Sequence, residues 1–368
     1  MKTLKKSIIT TFLIEQMHCD SSCAYCYLIQ GKNINFSYSY SGELAVRLDK
    51  ILEFAKIHFP SPLVKLCGGE IFLMDNLHEY TKKLLKEYAY VLIQTNARLI
   101  QDEDLEWIIK EKRVLLQISI DGHTLEMNKY RFKDKELMKR VLHILAVLKA
   151  NDVYTEVTSV IHKFNIEHYE EFLQYLDSLP AGKIKNAMKA TPLLLIDQSG
   201  IYRHSEDKIM YIQKLVDHYQ KYAHILPPYA YMKNYLALLR GEHLEYTCYN
   251  PIVSLTVTDE GKIKGCTNVL SIDEFNVGNL FEDSWEEIKE RFGQTKFQRL
   301  LLETKQRVPV CRKCFNFCSI YNLYFNGTIS LEELCENNPM FNLPEVRETL
   351  SDIKNELEVY EKNEATKI

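Results

Sequence analysis

Ten cysteines stand at positions 19, 23, 26, 67, 248, 266, 311, 314, 318 and 335 of this 368-residue chain. Three crowd the segment Cys19-Asp-Ser-Ser-Cys23-Ala-Tyr25-Cys26, six lie in the C-terminal third, and Cys67 stands alone. Thiolates that share a metal must converge to about 2.3 Å from it, so such bunching suits metal ligation. The first segment is a Cys-x3-Cys-x2-Cys loop with an aromatic residue just before its last thiol. Three thiolates on one loop can hold three irons of a 4Fe–4S cube and leave the fourth iron open to a chelating ligand. Zinc is the alternative: a structural zinc takes four protein ligands, and His18 would supply the fourth.

These thiols need a scaffold, and the chain alternates strands and helices. Ile8–Ile14 reads as a buried first strand, Glu43–Ala55 as a helix, and Leu63–Cys67 as an apolar strand ending in Gly68-Gly69-Glu70. Leu77–Tyr88 has helical spacing, Tyr90–Thr95 is a β-branched and aromatic run, and Asp102–Lys112 carries acids in its first turn and bases at its end. Val114–Ile120 is a strand closed by Asp121-Gly122, followed by a helix over Leu137–Ala150, a strand over Val153–Ile161 and a helix over Ile166–Leu179. Met188–Ile196 is the sixth strand, with a helix over Glu206–His224. Five or six such units with near-continuous apolar strands imply a parallel sheet with right-handed crossovers. They are too few to close an eight-stranded barrel. The expected fold class is α/β, a partial (β/α)6 barrel followed by a small α+β cysteine-rich domain. Chemistry in barrels gathers at the C-terminal ends of the strands. The cysteine loop, Gly68-Gly69-Glu70, Thr95-Asn96 and Ser119-Ile120-Asp121-Gly122 all fall there and should line one mouth.

The character changes at Pro227-Pro228, where a tyrosine-rich stretch leads to Cys248. Ile252–Thr258 and Lys262–Cys266 form a hairpin about Asp259-Glu260-Gly261, Asp283–Phe292 is an amphipathic helix, and another helix runs to about Gln306. The expected division is a barrel over 1–226, a bridging helical region over 227–247, a cysteine-rich domain over 248–342 and a charged helical tail over 343–368, frayed beyond Tyr360. A hydrophobic fraction of 46% and a charged fraction of 26% are those of a globular chain. The net charge of −4 argues against a nucleic-acid partner, and no apolar run approaches the roughly 20 residues of a membrane span. Basic Met1–Lys6 and apolar Ser7–Ile14 faintly imitate a signal peptide, yet the run is short and Glu15 follows it. A cytoplasmic location is expected, where thiols stay reduced.

The cysteine loop, together with Gly68-Gly69-Glu70 after the second strand, resembles the radical S-adenosylmethionine (SAM) enzymes. The resemblance implies that Cys19, Cys23 and Cys26 hold a 4Fe–4S cluster whose open iron is chelated by SAM. A glycine pair permits close approach of backbone to the cofactor. Thr95-Asn96-Ala97 resembles the family's Thr-Asn-Gly, with alanine in the glycine place. Ser119-Ile-Asp121-Gly122 followed by Asn128-Lys-Tyr-Arg131 resembles the Ser-x-Asp-Gly…Arg segment of the peptide-modifying branch, where serine and arginine serve the cofactor carboxylate. Tyr25, Gly68, Gly69, Glu70, Asn96, Ser119, Asp121 and Arg131 are the cofactor-binding residues so implied.

Cys248, Gly261-Lys-Ile-Lys-Gly-Cys266, Val277-Gly278-Asn279-Leu280 and Cys311-x2-Cys314 resemble the SPASM and Twitch auxiliary-cluster extensions. A full SPASM domain reads Cys-x2-Cys-x5-Cys-x3-Cys with a final cysteine. This chain has Cys311-x2-Cys314-x3-Cys318, and Asn322 stands where the next cysteine would fall. One implied arrangement is a single Twitch-like cluster on Cys248, Cys266, Cys311 and Cys314. Another places an outer cluster on Cys311, Cys314, Cys318 and Cys335 and an under-ligated inner one on Cys248 and Cys266. The second is preferred at this point because it employs Cys318 and Cys335. Cys67 reads as a small buried strand residue.

The resemblance implies reductive cleavage of SAM to a 5′-deoxyadenosyl radical that takes hydrogen from a substrate carbon. The expected substrate is a ribosomally made peptide, modified by cross-linking, thioether formation or epimerisation. A sulfatase-maturating or small-molecule (sugar or aminoglycoside) dehydrogenase is the alternative. Flavodoxin or ferredoxin would donate electrons. With only 18 residues ahead of Cys19, leader recognition is expected to fall to a separate protein or to direct capture.

Overall fold

The computed structural model describes residues 5–14, 18–26, 42–195, 200–244, 247–266, 275–303, 311–312 and 314–365. Its strands are β1 Ile9–Ile14, β2 Leu63–Gly68, β3 Tyr90–Thr95, β4 Val114–Ser119, β5 Thr155–Val160, β6 Met188–Leu193, β7 Ser254–Thr258, β8 Lys262–Lys264 and β9 Asn276–Asn279. They form one sheet in the order β6-β5-β4-β3-β2-β1-β7-β8-β9. From β6 to β1 every pairing is parallel. Helices Gly42–His58, Leu77–Leu84, Asp102–Lys110, Lys135–Ala150 and Tyr169–Ser178 make the crossovers. Every residue of β1 is buried, as expected of a strand covered on both faces. Residues of alternating parity from β1 to β6 face one cavity, so the sheet curves into the expected partial barrel.

Local signals set the element ends. Lys135–Ala150 starts two residues before its periodicity suggests, because the Asp134 side chain accepts from the amides of Glu136 and Leu137. Its buried stripe of Met138, Val141, Leu142, Leu145 and Leu148 follows the helical repeat. The helix expected over Glu206–His224 is broken instead into Ile209–Asp217 and Tyr219–Tyr222. His218 leaves helical dihedrals at the break, and its Nδ1 bonds the Lys214 carbonyl at 2.9 Å.

The largest difference from expectation is at β1. The hairpin of the cysteine-rich region is continuous with the barrel: β7 pairs in parallel with β1, from Ile9 opposite Ser254 to Leu13 opposite Thr258. β8 and β9 then continue antiparallel. Gly261 takes a φ of +82° at the hairpin turn, where a Cβ would meet the Asn279 side chain at 2.6 Å. β1 leads into the first cysteine loop and β8, on the far side of β7 from β1, leads to Cys266, so one sheet carries both thiol groups.

Trp285 stacks on His58 with ring centroids 3.9 Å apart, packing the first helix against the C-terminal region. The chain continues through helices Lys296–Glu303, Phe317–Phe325, Leu331–Asn337 and Pro344–Ala365. The last passes Tyr360, where fraying was expected; residues 304–306 of the preceding prediction and Ile196 lie outside the described residues.

Candidate functional site

A cavity of about 260 Å³ opens at the C-terminal ends of β1–β6. Cys19, Cys23, Tyr25, Cys26, Gly68, Gly69, Glu70, Asn96, Ser119 and Arg131 all line it, which brings the sequence-derived residues to one mouth. Phe315, Phe317, Cys318 and Tyr321 line it from the C-terminal region. Asp121 is fully buried behind the wall. Among the described residues, no three His, Cys, Asp or Glu side chains converge closely enough to share a single metal ion.

The cysteine loop is held from both sides. The Cys26 amide donates to the Cys23 carbonyl at 3.1 Å, and the Ala24 amide to the Tyr130 carbonyl at 2.9 Å. Donors point at two of the sulfurs: the Ser21 amide lies 3.4 Å from Cys19 Sγ, and Arg131 Nη1 lies 3.8 Å from Cys23 Sγ. Such bonds stabilise thiolates of an iron–sulfur cluster. Burial, followed by the nearby Glu70 and Asp20 charges, raises the Cys19 thiol to about 12 even though the Ser21 amide opposes it. A bound cation would supply the missing positive charge. The three thiols, their donors and the cavity beside them therefore fit an iron–sulfur group with room for a second ligand.

Close approach explains Gly68. Gly68 sits opposite Ile14 in the β1–β2 register, and a Cβ there would lie 1.9 Å from the Ile14 carbonyl oxygen. Glu70 faces inward but its carboxylate is committed to the protein. It accepts from the Thr95 hydroxyl at 2.6 Å, the Asn96 amide at 2.8 Å and the Phe72 amide at 3.1 Å. Asn96 Nδ2 in turn donates to Asp20 at 2.7 Å, tying the β3 end to the cysteine loop. Burial nevertheless raises the Glu70 carboxyl to about 7. Glu70 is thus a positioning residue. A Glu70→Gln change sets an amide against buried donors, and urea unfolding should show a loss of about 1–3 kcal/mol. Ala97, in the place of the family's glycine, takes φ +62° while fully buried, a strained conformation costing about 1–2 kcal/mol.

Asp121 organises the opposite wall. Its carboxylate accepts from the Tyr25 hydroxyl and from the Val160 amide at 3.0 Å. Arg131 Nε and His162 Nε2 each approach it at 3.5 Å. The Phe164 amide donates to His162 Nδ1, which leaves Nε2 to carry the proton toward Asp121. His162 follows β5 and belongs to no motif, so sequence reasoning missed it.

The C-terminal thiols divide into three places. Cys248, Cys266 and Cys311 pack together with Phe275, and the Cys314 amide donates to the Cys311 carbonyl at 3.1 Å. Cys318 opens the helix Phe317–Phe325 and faces the cavity. Cys335 is buried in the main core, its thiol donating to the Phe341 carbonyl at 3.1 Å. In that place Cys335 packs in the main core, whereas Cys311 belongs to a separate cluster with Cys248 and Cys266. Asn322, at the absent cysteine's position, accepts from the Tyr249 amide at 2.8 Å and donates to the Cys318 carbonyl at 2.8 Å. Asn326 brackets Thr247 through both backbone groups. The two asparagines thus clamp the backbone on either side of Cys248.

Comparison with known proteins agrees with this geometry. The model of the radical SAM superfamily matches residues 16–179, and that of SPASM, an iron–sulfur cluster-binding domain, matches residues 248–315. The chain thus carries a radical SAM domain followed by a SPASM domain. It is 23% identical over 283 residues to the antilisterial bacteriocin subtilosin biosynthesis protein AlbA of Bacillus subtilis, covering 73% of this chain and 57% of AlbA. An uncharacterized protein of Methanocaldococcus jannaschii, MJ0907, is 30% identical over 43% of this chain and 54% of its own. The chain therefore spans little more than half the length of these relatives. Among solved structures, Streptococcus suis SuiB bound to precursor peptide SuiA aligns with a TM-score of 0.60 at 13% identity, covering 86% of this chain and 76% of SuiB. The anSMEcpe structure with bound AdoMet and Kp18Cys peptide aligns at 0.57 and 15%, covering 95% of this chain and 99% of that one. At those identities the likeness is one of fold.

The cofactors that go with these two domains are a 4Fe–4S cluster with SAM in the first and auxiliary iron–sulfur in the SPASM region. Among the described residues, no helix is long and apolar enough to cross a membrane.

Proposed function

We propose that this radical SAM enzyme modifies a ribosomally made peptide, with Cys19, Cys23 and Cys26 holding the catalytic cluster. The observation that carries the reading is the shared cavity: the cysteine loop, Gly68-Gly69, Ser119 and Arg131 face it from the barrel, and Phe315, Phe317, Cys318 and Tyr321 face it from the C-terminal region. When bound, the cluster and SAM supply a 5′-deoxyadenosyl radical able to take hydrogen from unactivated carbon. The chain's own residues hold that chemistry in place. Gly68-Gly69 admit the cofactor to the backbone, Ser119 and Arg131 receive its carboxylate, and Asp121 orients Arg131 and Tyr25. The apolar ring of Leu13, Val160, Leu193 and Phe317 keeps water from the reacting carbon.

Cys248, Cys266, Cys311 and Cys314 hold one Twitch-like auxiliary cluster; the packing of the first three around Phe275, the turn that joins Cys314 to Cys311, and the place of Cys335 in the main core support that set. A flavodoxin- or ferredoxin-type donor supplies the electron, and leader recognition falls to a separate protein or to direct capture. Peptide binding by the fold-related SuiB and the subtilosin role of AlbA support a peptide substrate. The test is 5′-deoxyadenosine formation under anaerobic reducing conditions with a panel of short peptides and a panel of sugars and aminoglycosides. Stimulation by peptides above the unstimulated rate is expected. Stimulation by the sugar panel alone would replace this reading with a small-molecule dehydrogenase.

A further inference from the structure

We propose that Lys65 and Gln117 form a carboxylate-binding subsite in the cavity wall, which anchors an acidic group of the substrate. That the acid belongs to a peptide rests on the function proposed above. Lys65 lies in the middle of β2, between buried Val64 and Leu66, on the face that lines the cavity. Lys65 is partly buried there, and an ammonium shielded from water favours a compensating partner. Its Nζ donates to Gln117 Oε1 at 2.7 Å, and Gln117 Nε2 donates to Glu156 Oε2 at 2.7 Å. Glu156 thereby turns the Gln117 amide so that its oxygen meets the lysine. The direct partner of the cation is a neutral amide, and an ammonium has two further N–H groups to offer.

The rest of the cavity sharpens the contrast. Among the described residues, the other charged side chains lining it are Glu70, committed to three protein donors, and Arg131, which faces Asp121 and Cys23. Glu156, one amide removed from Lys65, is buried, and that burial favours its neutral form. Cys67 and Cys318, both lining the cavity, feel the Lys65 charge, which places the ammonium where β2 meets the SPASM-side helix. An entering carboxylate would meet a partly buried cation already oriented by Gln117, and hydrogen bonds between charged partners are the stronger ones. A lysine kept only for packing would be replaceable by methionine at little cost.

The test uses the anaerobically reconstituted full chain with SAM and calorimetric titration of defined probes. These are glutarate against glutaramide, acetyl-Gly-Glu-Gly-amide against its Gln counterpart, and acetyl-Gly-Gly-Gly as free acid against its amide. Wild type should prefer the carboxylate member by about tenfold or more. Lys65→Met should abolish that preference, and Gln117→Glu, which neutralises the lysine internally, should do the same without removing it. Equal binding of glutarate and glutaramide, no binding of glutarate at millimolar concentration, or a preference that survives both substitutions would overturn the subsite. A tenfold loss of SAM affinity in Lys65→Met would also overturn it, assigning the lysine to the cofactor. If glutarate binds through Lys65 and neither acidic peptide does, the subsite stands and the peptide reading falls. A preference for the free-acid tripeptide alone identifies the anchored group as a chain terminus; a preference for the Glu peptide identifies a side chain.

Discussion

Replacing Cys19, Cys23 and Cys26 together by alanine should leave a folded chain that forms no 5′-deoxyadenosine yet retains about four irons after reconstitution. The loop thiols are half-buried at a cavity wall, so alanine there removes little packing. The remaining thiols that can share a cluster are on different elements: Cys248 ahead of β7, Cys266 after β8, and Cys311 and Cys314 on one turn. Their scaffold is the β7–β9 hairpin and the asparagine clamp of the helix Phe317–Phe325, neither of which the substitutions touch. Iron and sulfide analysis with EPR separates the outcomes. Adding Cys335→Ser to the triple variant should leave the iron content where it was, because that thiol is spent on the Phe341 carbonyl. About seven or eight irons in the triple variant, falling when Cys335 is changed, would restore the two-cluster arrangement. Loss of all iron would show that the two thiol groups do not assemble independently.

What could be read from sequence follows from how local each feature is. The Cys-x3-Cys-x2-Cys loop and Gly68-Gly69-Glu70 are contiguous, and each sits at the end of a strand whose apolar run announces it, so both the site and its scaffold were legible. The pairing of β7 with β1 was not. It joins the first strand to a segment about two thirds of the way along the chain, and nothing in Ser254–Thr258 distinguishes a partner for β1 from the first arm of an isolated hairpin. Glu70 and Asp121 were assigned to the cofactor by resemblance, and the contacts of their carboxylates with Thr95, Asn96, Tyr25 and Arg131 were not legible beside it. Only side-chain geometry separates a residue that touches a ligand from one that aims its neighbour. Lys65 and Gln117 were visible as polar breaks in Leu63–Gly68 and Val114–Ser119, a signal that a reading of those runs simply as apolar strands passes over. Asn322 is the converse case: its position was noticed as the absence of a cysteine, and the structure gives the asparagine work of its own at Cys248.

Asp121→Ala should be the most damaging single substitution in the wall of the site, costing about 3–5 kcal/mol in urea unfolding. Asp121 is fully buried, and the change strands the Arg131 guanidinium, removes the acceptor of the Tyr25 hydroxyl and leaves the Val160 amide unsatisfied. Burial by itself pushes the Asp121 carboxyl up, but Arg131 and then His162 and Tyr25 outweigh it and hold the group below the ordinary aspartate range. A carboxyl depressed on folding contributes stability that is present above its unfolded value of about 3.9 and is lost as pH falls through the folded value. The difference between wild type and variant should therefore be constant at neutral pH and shrink in acid. Against a domain stability of about 5–15 kcal/mol, a loss of this size is tolerable, so the variant should remain measurable. Removing the stranded charge as well, in Asp121→Asn with Arg131→Met, should recover a large part of the loss, since much of the cost is an uncompensated buried cation. A loss below about 1 kcal/mol for Asp121→Ala, or a double variant no better than the sum of its parts, would mean that the wall is held by packing and not by this network. Because Tyr25 lies between Cys23 and Cys26, the same variant should also bind SAM more weakly at unchanged auxiliary iron content, which links the stability of one buried carboxylate to the placement of the cysteine loop.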